Sequence, residues 1–227
     1  MTRKALIVWG GWDGHEPEPV AKICDAQLRS HGFETEVSHT LDSFLDKEKL
    51  KTFNLIVPIW TMGQISGEQL NGVCEAVESG VGIGGCHGGM CDSFRQATEW
   101  QFMTGGQWVS HPGGGGVHYT VRITNPNHFI TEGTEEFEVV SEQYYLHTDP
   151  SNKVYAVTQF PVADGPHVSN GSFDMPVVWT RMYGKGRVFY SSLGHNAEVV
   201  RQPDPLRLLT RGLLWAANAE SAKASGV

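Results

Sequence analysis

Gly82-Ile83-Gly84-Gly85-Cys86-His87-Gly88-Gly89-Met90 is the stretch on which the fold turns. Five of its nine residues are glycine, and Cys86 and His87 can both do chemistry. Gly80 and Val81 before it read as the end of a helix and the start of a short buried strand. Asp92-Ser93-Phe94-Arg95 after it reads as the first turn of the next helix. A strand that turns sharply into a helix needs backbone without a Cβ on either side of the turn, and it pushes the tip residue out at the end of the sheet. Two registers remain open. Gly84-Gly85-Cys86-His87-Gly88 puts a thiol at the tip; Gly85-Cys86-His87-Gly88-Gly89 puts an imidazole there.

Toward the N-terminus the pattern around this elbow repeats. Ala5-Leu6-Ile7-Val8-Trp9 is a continuous apolar run, as expected of a strand buried on both faces. It leads into the loop Gly10-Gly11-Trp12-Asp13-Gly14-His15-Glu16-Pro17. Pro19 opens a helix with Val20, Ile23, Cys24 and Leu28 at helical spacing, and Gly32 stops it. Residues 33–37 read as a second strand and 41–50 as one short charged helix. Leu55 to Trp60 is a third strand, weakened near its end by Pro58, which cannot donate to a ladder. Ser66 and Gln69 form a capping box for the helix carrying Leu70, Val73, Cys74 and Val77. Four strand–helix alternations predict a single-domain α/β fold, a doubly wound, mostly parallel sheet with its ligand at the carboxyl edge.

Beyond Trp100 the reading changes. Trp108 to Gly116, ending in four glycines, is expected to be a loop. Residues 117–123, 137–141, 154–158 and 177–180 read as strands. Gly184-Lys185-Gly186 makes the last two strands an antiparallel hairpin. Residues 205–217 form a closing helix with Leu206, Leu209, Leu213 and Leu214 on one face. With no internal repeat and no linker, residues 1–220 are one domain and 221–227 a C-terminal tail.

Composition removes several function classes. The 227 residues are 40% hydrophobic and 19% charged, enough for one sizeable core. A net charge of -8, with no basic run, argues against a nucleic-acid partner. No apolar run reaches the roughly 20 residues of a membrane span. The start of the chain lacks a signal-peptide pattern, and the four cysteines form no paired framework, so a reduced cytoplasmic setting is expected. A small-molecule substrate is the expected partner; a homo-oligomer is compatible with the sequence, which does not fix the oligomeric state.

Polar residues with chemical potential follow separate strands: His15 and Glu16, Cys86 and His87, Glu142-Gln143-Tyr144-Tyr145-Leu146-His147, and His195 with Glu198. Each alone has a plainer reading. A histidine after Gly-Gly-Trp-Asp-Gly usually just holds its loop, a cysteine among glycines fills space, and paired tyrosines usually pack. His111 and His118 flank the glycine run and are given no role. The expected convergence of three histidine loops at one end of the sheet favours function. With Cys86 at the tip, His195 as base and Glu198 orienting it, the site would be a thiol triad for amide hydrolysis. With His87 at the tip, the set His15, His87, His195 and Glu142 suits a divalent metal, zinc or manganese, or general acid–base work. Trp12, Trp60, Tyr144, His147 and Trp108 are candidate walls for a sugar, whose faces stack on aromatic rings.

Taken together, Gly-Gly-Trp-Asp-Gly-His-Glu, Gly-Cys-His-Gly-Gly, Glu-Gln-Tyr-Tyr and the closing run from Trp179 through Tyr-Gly-Lys-Gly-Arg-Val-Phe-Tyr to Leu193-Gly194-His195 resemble the trehalose-utilisation (ThuA-like) family. The resemblance spans Ala5 to about Ala217. It implies a flavodoxin-like sheet similar to class I glutamine amidotransferases. It also implies histidine at the elbow tip, where those enzymes carry cysteine, which matches His87 here. Met90 stands where an amidotransferase has its glutamine-binding residue. The implied setting is sugar catabolism through 3-keto sugars, with isomerisation or glycosidic cleavage as the step; a non-catalytic sugar-binding module that keeps the fold is the alternative beside it. On that reading His87, Glu142, His195 and Glu16 are catalytic, and His15, His87, His195 and Glu142 hold the metal.

Overall fold

A computed structural model of the chain describes residues 2–221; apart from Ser221, the expected tail lies outside them. In order, the elements begin with β1 (Arg3–Gly11), α1 (Pro17–Ser30), β2 (Phe33–Ser38), α2 (Lys47–Leu50), β3 (Leu55–Thr61), α3 (Gly67–Ser79), β4 (Gly82–Cys86), α4 (Gly88–Cys91) and α5 (Thr98–Thr104). They continue with β5 (Gly106–Ser110), β6 (Val117–Ile123), β7 (Phe137–Ser141), β8 (Tyr145–Thr148), β9 (Lys153–Phe160), β10 (Phe173–Tyr183), β11 (Gly186–Ser191), α6 (Ala197–Arg201) and α7 (Pro203–Ala216).

Nine strands form one sheet in the order β2-β1-β3-β4-β11-β10-β9-β6-β7. The first five run parallel. The expected hairpin of β10 and β11 then opens an antiparallel half that continues through β9, β6 and β7. Alternate residues of β1 feed opposite cores. Ala5 and Ile7 join the cluster under α1 and α7, while Leu6 and Val8 join the one under α3 and α5. That two-sided burial is why the strand shows no polar alternation. Pro58 is accommodated because the β3–β4 ladder ends at Ile56. Among the described residues, no helix is long and apolar enough to cross a membrane.

Several expectations are corrected. Residues 41–50 are not one helix: a turn of 3-10 helix at Leu41–Phe44 is followed by α2, because Asp46 caps a new start by accepting from the Lys49 amide at 3.0 Å. The helix after the elbow begins at Gly88 rather than at Asp92, which instead closes it. The expected loop from Trp108 begins as β5, whose Gln107 and Trp108 pair with His147 and Leu146 of β8 in a separate two-stranded sheet. Residues 111–116 leave strand structure, and Gly114–Gly116 among them form a turn of 3-10 helix. The closing helix starts two residues earlier, at Pro203.

Candidate active site

The elbow is built on the histidine register. His87 sits at φ 50°, ψ −136°, the one non-glycine residue at the turn between β4 and α4. Its amide donates to the Ser191 carbonyl at 2.7 Å, and its own carbonyl accepts from the Tyr190 hydroxyl at 3.1 Å. Both clamps come from β11, the parallel neighbour of β4. Gly88 and Gly89 follow because nothing larger fits. A Cβ on Gly88 would come within 2.6 Å of His15 Nδ1, and one on Gly89 within 2.9 Å of the Ile59 backbone. Cys86 lies one residue back and faces the core shared with Cys24, Leu193 and Val200. Burial pushes its thiol up to about 12. A thiol so placed does not supply a thiolate at neutral pH. Glu198, the orienting group of the thiol arrangement, is exposed on α6 and forms no ion pair with His195 among the described residues.

Around His87 the carboxyl-edge loops converge on one carboxylate. Glu142, the residue after β7, places Oε2 at 3.0 Å from His87 Nε2, 3.6 Å from His15 Nε2 and 3.4 Å from His111 Nδ1. Its Oε1 lies 3.4 Å from His195 Nε2. Three of these histidines follow parallel strands: His15 after β1, His87 after β4 and His195 after β11. His111, to which the sequence assigned no role, follows β5 and completes a ring of four imidazoles. The only sequence signal for it was its place beside the glycine run, which by itself names no chemistry. His118 stays outside, paired with Glu138 at 3.1 Å on the surface.

The remaining expected residues divide. Tyr144 is buried and stacks on the His87 ring with centroids 3.8 Å apart; Trp12 meets the His15 ring edge-on at 4.8 Å and is 46% exposed. Trp108 stands 5.4 Å from His111, ring to ring. Glu16 points elsewhere: its carboxylate accepts from the Ala197 amide at 3.0 Å, tying the first loop to the start of α6. Trp60 lies against Gly10 and Gly63, and His147 is exposed on β8 opposite Gln107. Neither bonds the Glu142 carboxylate.

Proton bookkeeping defines what the cluster can hold. The Ser192 carbonyl accepts from His87 Nδ1 at 2.7 Å, so Nδ1 carries a proton. Burial, with the neighbouring His15, lowers His87 to about 4 despite Glu142, so at neutral pH that is its only proton. Burial also lowers His195. For Glu142 burial pulls upward, but the surrounding imidazoles of His15, His87 and His195 prevail and hold it below the usual carboxylate range. His87 Nε2 therefore faces an ionised carboxylate at 3.0 Å, a pair that a shared proton or a metal cation would bridge. His15, Glu142 and His195 offer ligand atoms all within 4.8 Å of one another, with His87 beside them. Nitrogen and carboxylate donors of this kind fit zinc or manganese. His15 has the outer support that ligating imidazoles need, since its Nδ1 is 3.0 Å from Thr61 Oγ1.

The family model described as trehalose utilisation matches residues 4–216. A ThuA-like protein from Parabacteroides merdae ATCC 43184 superimposes with a TM-score of 0.75 at 17% identity, covering 100% of this chain and 93% of that one. A ThuA-like protein from Bacteroides uniformis ATCC 8492 does so with 0.74 at 18% identity, covering 94% and 91%. A GMP synthase component from Thermoplasma acidophilum gives 0.58 at 15% identity, covering 97% and 96%. These likenesses carry the fold alone. No curated protein matches the chain in sequence.

Proposed function

The chain belongs to the trehalose-utilisation (ThuA) family, and on that premise we propose that it is an enzyme acting on an oxidised sugar, a 3-keto disaccharide, glycoside or hexose, at the Glu142 centre. One observation carries the reading: a buried carboxylate ringed by four imidazoles, with His87 Nε2 turned toward it at 3.0 Å. His15 and His87, whose Nε2 atoms share the Oε2 side of Glu142, would hold a divalent metal with that carboxylate, and His195 stands beside them on the Oε1 side. Bound there, such an ion supplies positive charge to an oxygen that becomes anionic as the reaction proceeds.

The residues themselves supply the proton chemistry. Hydrogen on the hydroxyl-bearing carbon beside a carbonyl is acidic, and its removal leaves an enediolate; returning the proton to the former carbonyl carbon, while the hydroxyl proton passes from one oxygen to the other, moves the carbonyl and isomerises the sugar. His195 is suited to carry that proton, because it is kept neutral, touches the Glu142 carboxylate and is the better exposed of the family-matched histidines, at 19%. His87 is too deeply buried and too firmly held by Ser192 to swing, so its role is to fix the centre. Tyr144 braces His87 by stacking, and Trp12 forms a side wall.

Metal content of the purified protein, and turnover of a 3-keto glycoside, test the reading. We expect close to one divalent ion per chain. His87→Ala and His195→Ala should each lower metal affinity about tenfold or more and turnover by about 10²–10⁴-fold, the range for a removed acid–base or ligand group. A metal-free wild-type protein whose turnover neither change alters would remove the proposal.

A further inference from the structure

His195 has two sides. Its Nε2 faces Glu142, while its ring also forms part of the wall of a groove of about 510 Å³ that opens to solvent. The groove is continued by His118, Glu138, Asn196, Glu198 and Gln202. It remains open because the chain facing His195 is bare backbone: a Cβ on Gly115 would approach His195 Cε1 to 2.9 Å. Asn196 spends its Oδ1 on the Val199 amide at 3.0 Å, which leaves its amide hydrogens free. Among the described residues lining the groove there are two carboxylates and neither lysine nor arginine.

We propose that this groove is the subsite for the part of the substrate that does not react, and that it takes an uncharged, polyhydroxylated group, excluding sugar phosphates and sugar acids. The proposal rests on the carbohydrate reading of the Glu142 centre and adds a substrate class to it. Carboxylates and side-chain amides accept from and donate to hydroxyls, and a volume of this size lies within the range of small-ligand sites. A phosphate or carboxylate in the groove would face Glu198 and Glu138, the latter already engaged by His118 at 3.1 Å, with neither lysine nor arginine to answer it, and like charges so placed oppose binding. A ligand lying there presents one end at His195, the residue shared with the centre.

The test is calorimetric titration of the full chain with neutral disaccharides (trehalose, maltose and cellobiose) and with trehalose 6-phosphate. At least one neutral disaccharide should bind, and trehalose 6-phosphate should bind at least about tenfold more weakly than the best of them. Glu138 and Glu198 are exposed, so variants there are not expected to disturb folding. Glu198→Trp, which fills the groove, should weaken disaccharide binding about tenfold or more, the worth of a lost hydrogen bond to a charged group. The double change Glu138→Lys with Glu198→Lys should shift the preference toward the phosphate. Disaccharide binding that survives both changes but is lost in His195→Ala would overturn the groove and leave the centre's reading standing. Equal binding of the phosphate by the wild type would overturn it too. No binding of any disaccharide by the wild type would overturn the groove, while turnover of a 3-keto glycoside decides the reading of the centre separately.

Discussion

His87 holds a backbone conformation that a side chain makes costly. At φ 50°, ψ −136° a residue with a Cβ carries strain of order 1–3 kcal/mol, and glycine carries almost none. His87→Gly and His87→Ala lose the same imidazole contacts, so the glycine variant should be the more stable by about 1–3 kcal/mol, read as a higher urea midpoint. Equal midpoints would mean that the elbow relaxes when the imidazole is removed. The neighbouring Cys86 offers the opposite check. Buried, with its thiol pushed up to about 12, it should resist iodoacetamide at pH 8 in the native protein and react only after unfolding. Cys86→Ser should keep turnover within a few-fold of wild type. The glycines around these two residues made an elbow legible from sequence but could not choose its tip, because Cys and His occupy adjacent positions with glycine on both sides. What separates them is three-dimensional: β11 clamps the amide and carbonyl of His87, and the Cys86 side chain enters the core. His111 was illegible for a related reason, since its partner Glu142 is 31 positions away and on a different sheet.

Elements were legible wherever one physical rule dominated. The apolar runs of β1 and β3, the capping box of α3 and the glycine-turn hairpin of β10 and β11 all stood out. The misreadings occurred where two rules competed. Residues 41–50 carry helical spacing, but Asp46 offers a cap in mid-run and the backbone takes it. β5 was hidden by the glycines that follow it, and its pairing partner β8 lies about 40 residues downstream. Helix-to-sheet contact also depends on residues that sequence shows only as gaps in a pattern. Gly212 lets α7 lie directly on β11: a Cβ there would come within 2.1 Å of the Phe189 ring. Gly212→Ala should cost about 1–3 kcal/mol through overpacking, seen as a lower urea midpoint, with metal content per folded chain unchanged. At the site end, Gly88→Ala should displace His15 and reduce metal affinity while lowering the midpoint less than His87→Ala does.

At the scale of the whole molecule, the buried imidazoles make stability depend on pH. Burial holds His87 at about 4 and lowers His195 and His128 from the ordinary 6.5. Between those values the unfolded chain binds more protons than the folded one, so stability falls as pH is lowered from about 6.5 toward 4. Glu142, held below its ordinary value, adds a loss in the same direction only once the pH drops under the usual carboxylate range. Urea midpoints at pH 7.5, 6 and 5 in the presence of a chelator should decline in that order, and a flat profile would contradict the assignment of neutral imidazoles. The strand order carries a consequence of another kind. β11 is the last strand in sequence, yet it lies at the middle of the sheet between β4 and β10. Until it is made, one half of the sheet ends at β4 and the other at β10, each with an open edge. High-contact-order closure of this sort is slow and exposes unpaired backbone to other chains. The centre gathers residues from position 15 to position 195, so a nascent chain cannot assemble it before the final seam closes. The Glu142 centre is therefore assembled in one late step of folding, and interruption of synthesis short of β11 should yield aggregation-prone halves without it.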